Sequence, residues 1–189
     1  MRAKNFEREK SSRKNSKEAV HKNLPEPVKR IALTVNGKKV EREVGSHLTL
    51  AEFLREKLGL TGTKIGCNRA ECGSCTVLLD GDPVYSCTLL AVEAAGRKVV
   101  TIEGLAVEGK LHPIQEAFIE HDALQCGFCT PGMIMSLTAF LESNPRPTEM
   151  EIRNTIDGNL CRCGCYPNII QATLSAAKKR AGQGDRKDG

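Results

Sequence analysis

The chain has 189 residues, a net charge of +5, nine cysteines, no tryptophan and two tyrosines; the odd cysteine count excludes a fully closed disulfide framework, and the length suits one ordinary domain or two small ones. The charge does not make a basic globular face, because residues 1–28 hold eight Lys/Arg against four Asp/Glu and residues 178–189 five against two, while residues 29–177 hold fifteen against seventeen. Both ends therefore read as disordered basic extensions and nucleic acid is not an expected partner.

No apolar run approaches transmembrane length, and MRAKNFEREKSSRKNSKEAV lacks an apolar signal region. No membrane association is expected, and the cytoplasm is the expected compartment. Clustered cysteines there more often hold metal than form disulfides.

Order is expected to begin near Val28, after Pro25 and Pro27. KRIALTVNGKKVEREV predicts two strands around an Asn36-Gly37 turn, with Ile31, Leu33 and Val35 alternating with polar positions. In LTLAEFLREKLGL, Leu50, Phe53, Leu54 and Leu58 have helical spacing, and Gly59 is a plausible stop. After a cysteine-rich loop, CTVLLDGDPVYSC predicts a hairpin turning at Asp80-Gly81, and KVVTIEG a last short strand. The first half thus predicts a small mixed sheet crossed by one helix.

After Gly104 the period becomes helical. HPIQEAFIEHDAL places Ile114, Ala117 and Phe118 on one face with Pro113 at the first position. TPGMIMSLTAFLESNP groups Ile134, Leu137 and Leu141, with Pro131 near its start, and ends before Pro145. TEMEIRNTIDGN opens with Thr148 and Glu151 in capping-box spacing, and PNIIQATLSAAKKR supplies a fourth helix with cations at its end. The expected class is α+β, divided into residues 29–104 and 111–177.

The first cysteine set is Cys67-x4-Cys72-x2-Cys75-x11-Cys87. This is a plant-type ferredoxin pattern with a shortened approach to the fourth thiol. A flat 2Fe-2S core needs two thiolates on each iron, so one tight loop can wrap three and a nearby strand present the fourth. Gly66 and Gly73 let the backbone turn closely around such a core. Four thiolates also suit structural zinc, but zinc sites usually combine two C-x2-C knuckles, and this loop is not one.

The second set joins Cys126-x2-Cys129 to Cys161, Cys163 and Cys165, after 31 intervening residues. Each group precedes a predicted helix, whose N-terminal partial charge favours thiolates. Spacing alone does not choose between Cys163 and Cys165. His21, His47 and His121 have no cysteine neighbours to make a ligand set, His112 marks a helix start, and Met133 and Met135 read as packing residues.

KIGCNRAECGSC, QCGFCTPGMIM and DGNLCRC, in this order and at these separations, resemble the small iron–sulfur subunit of the molybdenum hydroxylases. That family comprises the xanthine dehydrogenases, aldehyde oxidoreductases and carbon monoxide dehydrogenases. The resemblance implies a β-grasp, plant-ferredoxin-like domain followed by a four-helix 2Fe-2S domain. It implies Cys67, Cys72, Cys75 and Cys87 as ligands of one cluster, and Cys126, Cys129, Cys161 and Cys163 as ligands of a second.

It further implies a large molybdopterin-binding partner and a medium FAD-binding partner. Gln125 and Cys163 would lie against the pterin, electrons would pass singly from it through both clusters to FAD or another acceptor, and this subunit would have no substrate-binding catalytic site. Relatives commonly read Cys-Arg-Cys-Thr-Gly-Tyr where this chain reads Cys161-Arg162-Cys163-Gly164-Cys165-Tyr166, so Cys165 stands in place of glycine and reads as a small buried residue. A free-standing two-cluster ferredoxin and a zinc-stapled interaction module are the competing readings.

Overall fold

The computed structural model describes residues 27–184, so the N-terminal basic extension and the last residues of the tail lie outside the described residues. Strands β1 (Val28–Val35) and β2 (Lys38–Gly45) form an antiparallel hairpin. Strands β3 (Thr76–Leu79) and β4 (Asp82–Tyr85) form another, and β5 (Lys98–Val100) joins the two. The sheet order is β2-β1-β5-β3-β4, with β5 parallel to β1 and antiparallel to β3. Both hairpins turn at the expected dipeptides, where Asn36, Gly37, Asp80 and Gly81 all have positive φ.

Helix α1 (Leu50–Glu52) opens with a capping box between Thr49 and Glu52 and runs into a π-helical turn, Phe53–Lys57. Phe53 and Leu54 then pack with Ile31, Leu33, Val35, Val77, Leu79 and Val99 in one core. The last strand is shorter than KVVTIEG suggests. Thr101 turns away to pair with Asn36, its N–H reaching Asn36 Oδ1 at 2.9 Å while Asn36 Nδ2 donates to Thr101 Oγ1 at 2.9 Å. A 3-10 turn, Ile102–Gly104, follows.

Four helices make the second half: α2 (Pro113–Glu120), α3 (Thr130–Ser143), α4 (Glu149–Thr155) and α5 (Tyr166–Gly184). Ile114, Phe118, Met133, Leu137, Leu141, Ile152 and Ile169 form their core. The capping box of Thr148 and Glu151 is present as read, and His112 is the N-cap of α2. Helix α5 continues through Gly184, so residues 178–184 are helical where a disordered tail was expected. Within it, Lys179 pairs with Glu120 at 2.6 Å and Arg180 with Glu142 at 2.8 Å on neighbouring helices.

The halves meet where α3 packs on β3 and β4. Gly132 permits it: a methyl group there would strike the carbonyl of Gly73. No helix among the described residues is long and apolar enough to cross a membrane.

Candidate metal centres

The loop from Gly66 to Cys75 curls through left-handed residues, with Asn68 at φ 55°, Ala70 at 58° and Gly73 at 68°. Such alternation points successive amides inward and makes a concave site for negative charge. The N–H groups of Arg69 and Glu71 donate to Cys67 Sγ at 3.4 and 3.3 Å, and the N–H of Cys67 donates to Cys72 Sγ at 3.4 Å. Opposite them, Ser86 donates from both its hydroxyl and its N–H to the carbonyl of Cys75, at 2.6 and 3.4 Å. This fixes Cys87, just beyond the end of β4, beside Cys75.

The Cys67 thiol lies against that of Cys72, and the Cys75 thiol against that of Cys87. Their environments differ. The N–H of Glu71, aided by that of Arg69, brings the Cys67 thiol down to about 7, whereas burial pushes Cys75 up to about 12. A thiolate at Cys75 therefore needs an adjacent cation, and metal binding there would release its proton.

The second quartet is assembled from two loops. Cys129 is the N-cap of α3, and the run from Cys161 to Cys165 leads into α5. Here too the thiols pair, Cys126 with Cys163 and Cys129 with Cys161. Burial pushes Cys129 up to about 12. Burial also opposes the thiolate of Cys161, but the N–H of Cys165, the Cys129 side chain and the N–H groups of Cys163 and Gly164 outweigh it and bring Cys161 below its ordinary value. Cys126 is lowered by the N–H of Phe128 and the side chain of Cys163.

Cys165, the position that spacing could not resolve, is 5 % exposed and belongs to the helical core, its side chain against Cys161. Burial raises its thiol.

Among the described residues no three His, Cys, Asp or Glu side chains gather as a group that could hold a metal ion. The N–H donors on the sulfurs of Cys67, Cys72, Cys126 and Cys161 suit thiolates of a binuclear core with two thiolates per iron. The residues present fit that group.

Gln125 and Cys126 are exposed and Cys163 is half-buried, so the second quartet is open to a partner. The exposed Leu124, Phe128 and Leu160 stand beside it in sequence. His112 is occupied as a cap, its Nδ1 accepting from the N–H of Ile114 at 3.4 Å, and Met133 lies in the helical core as read. A cleft of about 690 Å³ lies in the seam between the halves, lined by Tyr85, Ser136, Phe140 and Asn159, and none of the nine cysteines lines it.

Sequence reasoning missed Asn159. It is buried, and its amide bridges the two halves through Gly73 and Ser136. The available signal was its place in GNL, immediately before Cys161.

Residues 33–101 match the family model described as "2Fe-2S iron-sulfur cluster binding domain", and residues 101–174 match "[2Fe-2S] binding domain". The chain is 50% identical over 150 residues to the caffeine dehydrogenase subunit gamma of a Pseudomonas species, an alignment covering 78% of this chain and 90% of that protein. It is 45% identical over 162 residues to the aldehyde oxidoreductase iron-sulfur-binding subunit of Escherichia coli, covering 78% and 71%. Among solved structures, a chain of quinoline 2-oxidoreductase from Pseudomonas putida superposes with a TM-score of 0.80 at 47% identity, covering 83% of this chain and 98% of that one.

Proposed function

The chain belongs to the small iron–sulfur subunits of the molybdenum hydroxylases, and from that premise we propose how its own residues serve as an electron relay. Cys67 and Cys72 hold one iron of a first 2Fe-2S cluster and Cys75 and Cys87 the other. Cys126 with Cys163, and Cys129 with Cys161, hold the two irons of a second. The observation that carries this reading is that each half, within a segment matching a 2Fe-2S binding domain, presents four thiols, while the ninth, Cys165, is buried in the helical core.

A 2Fe-2S cluster accepts and releases one electron at a time with little rearrangement, and surrounding hydrogen bonds and solvent exposure set its potential. In the first site the N–H groups of Arg69, Glu71 and Cys67 stabilise negative charge on sulfur. In the second, the N-termini of α3 and α5 do the same. Cys75 is buried and Cys129 half-buried, which would limit water on one side of each site.

On this reading residues 29–104 and 111–177 are two cluster-binding units. The exposed Gln125 and half-buried Cys163 face the pterin of a large molybdopterin-binding subunit, a medium FAD-binding subunit receives the electrons, and the assembly works in the cytoplasm. Substrate chemistry takes place on the large subunit, and this chain carries no catalytic acid, base or nucleophile of its own. The test is co-expression with the large and medium subunits. Copurification of all three, with loss of substrate-dependent reduction of the acceptor when Cys129 becomes serine, is the expected result; a small subunit purifying alone under those conditions contradicts it.

A further inference from the structure

At the seam the two thiol loops are joined backbone to backbone. The N–H of Leu160, the residue before Cys161, donates to the carbonyl of Cys72 at 2.9 Å. One hydrogen bond, with covalent bonds on either side, thus connects Cys72 Sγ to Cys161 Sγ, a thiol from each quartet.

Asn159 holds this bond in register. It is 3 % exposed, and both ends of its amide are used. Nδ2 donates to the carbonyl of Gly73, next to Cys72, at 3.1 Å, and Oδ1 accepts from Ser136 Oγ on α3 at 3.0 Å. Its main-chain carbonyl accepts from Tyr166 Oη at 3.1 Å, and that hydroxyl in turn accepts the N–H of Cys161 at 2.8 Å. From the sheet, Tyr85 Oη donates to the carbonyl of Gly158 at 3.2 Å.

Space is closed as well as bonds. A methyl on Gly73 would meet the Asn159 amide and the Gly158 carbonyl, and one on Gly132 would strike the Gly73 carbonyl. Leaving a buried amide such as Asn159 unsatisfied is costly, so the loops have one well-defined relative placement.

We propose that Asn159 is a positioning residue that sets the separation of the two cysteine quartets by holding the Leu160 N–H to Cys72 carbonyl bond in register. The clusters these quartets would hold supply one-electron chemistry, and that separation would set how readily an electron passes between them. This rests on the electron-relay reading given above.

The test uses the full chain assembled with iron and sulfide. In Asn159→Ala both centres form, with unchanged iron and sulfide content. The Leu160 amide exchanges with deuterium about tenfold faster, the magnetic interaction between the two centres in the electron paramagnetic resonance (EPR) spectrum of the fully reduced protein weakens, and electron exchange between them slows. Two normal centres with unchanged spin interaction and unchanged Leu160 protection overturn the proposal.

If Asn159→Ala does not assemble, Ser136→Ala and Tyr85→Phe are compared, each removing one bond of the clasp. A smaller change in the same direction supports the proposal, and no change in either variant overturns it. A wild-type chain that takes up no pair of paramagnetic centres refutes the relay reading itself, a failure distinct from that of the clasp.

Discussion

The two halves gather their thiols by different means. In the sheet half, three thiols come from a single loop whose left-handed residues turn N–H groups onto sulfur, and the fourth is held beside Cys75 through Ser86. The site is largely a property of local chain geometry. In the helical half, the thiols come from two loops separated by 31 residues, and they meet only because α3 and α5 close a common core. That second site should accordingly depend more on packing, and it is also the more open: Cys126 is exposed, while Cys75 and Cys87 are buried.

The largest expected effect comes from removing a paired thiol. Cys129→Ser should cut iron content by about half and abolish only the EPR signal of the helical half; Cys75→Ser should do the reverse. Loss of both signals from either variant would show that the sites do not assemble independently.

Next in size is a core truncation. Leu137 is fully buried in the helical core, so Leu137→Ala should destabilise that half by about 2–5 kcal/mol. On mild heating the helical-half signal should disappear before the sheet-half signal. Simultaneous loss would contradict the contrast between local and assembled sites.

A smaller, pH-dependent effect is expected at His112. Burial, with Arg180 close by, lowers its pKa, with Glu142 partly offsetting this. A group depressed in the folded state binds fewer protons than in the unfolded chain, so the helical half should lose stability as pH falls through about 6.5, the ordinary histidine value. His112→Asn keeps a capping side chain and should flatten thermal-melt midpoints across that range.

Least of all is expected from Cys165→Ala. Its thiol is buried in the helical core, so iron content should stay as in the parent protein, with at most a small shift in the potential of the helical-half centre. Halved iron content would instead make Cys165 a ligand.

Much of this was legible in the chain. The Asn36-Gly37 and Asp80-Gly81 turns, the Thr148–Glu151 cap and the apolar faces of α2 and α3 follow from local chemistry that packing does not override. The cysteine spacing likewise marked both candidate sites. What sequence could not show was long-range. That Cys165 is buried in the helical core while Cys163 stays half-buried is set by how the helices close. The pairing of Lys179 and Arg180 depends on Glu120 and Glu142 lying on other helices. Asn159 reads as an ordinary polar loop residue until the sheet brings Gly73 against it.

The central claim is that eight cysteines, in four pairs, hold two 2Fe-2S clusters, one in each half. It is tested most directly by EPR spectroscopy of the purified, iron-replete chain after reduction, together with iron and acid-labile sulfide analysis. The account predicts two distinct signals of equal intensity, with roughly four irons and four sulfides per chain. A colourless zinc protein, or one signal with half that iron, would contradict it.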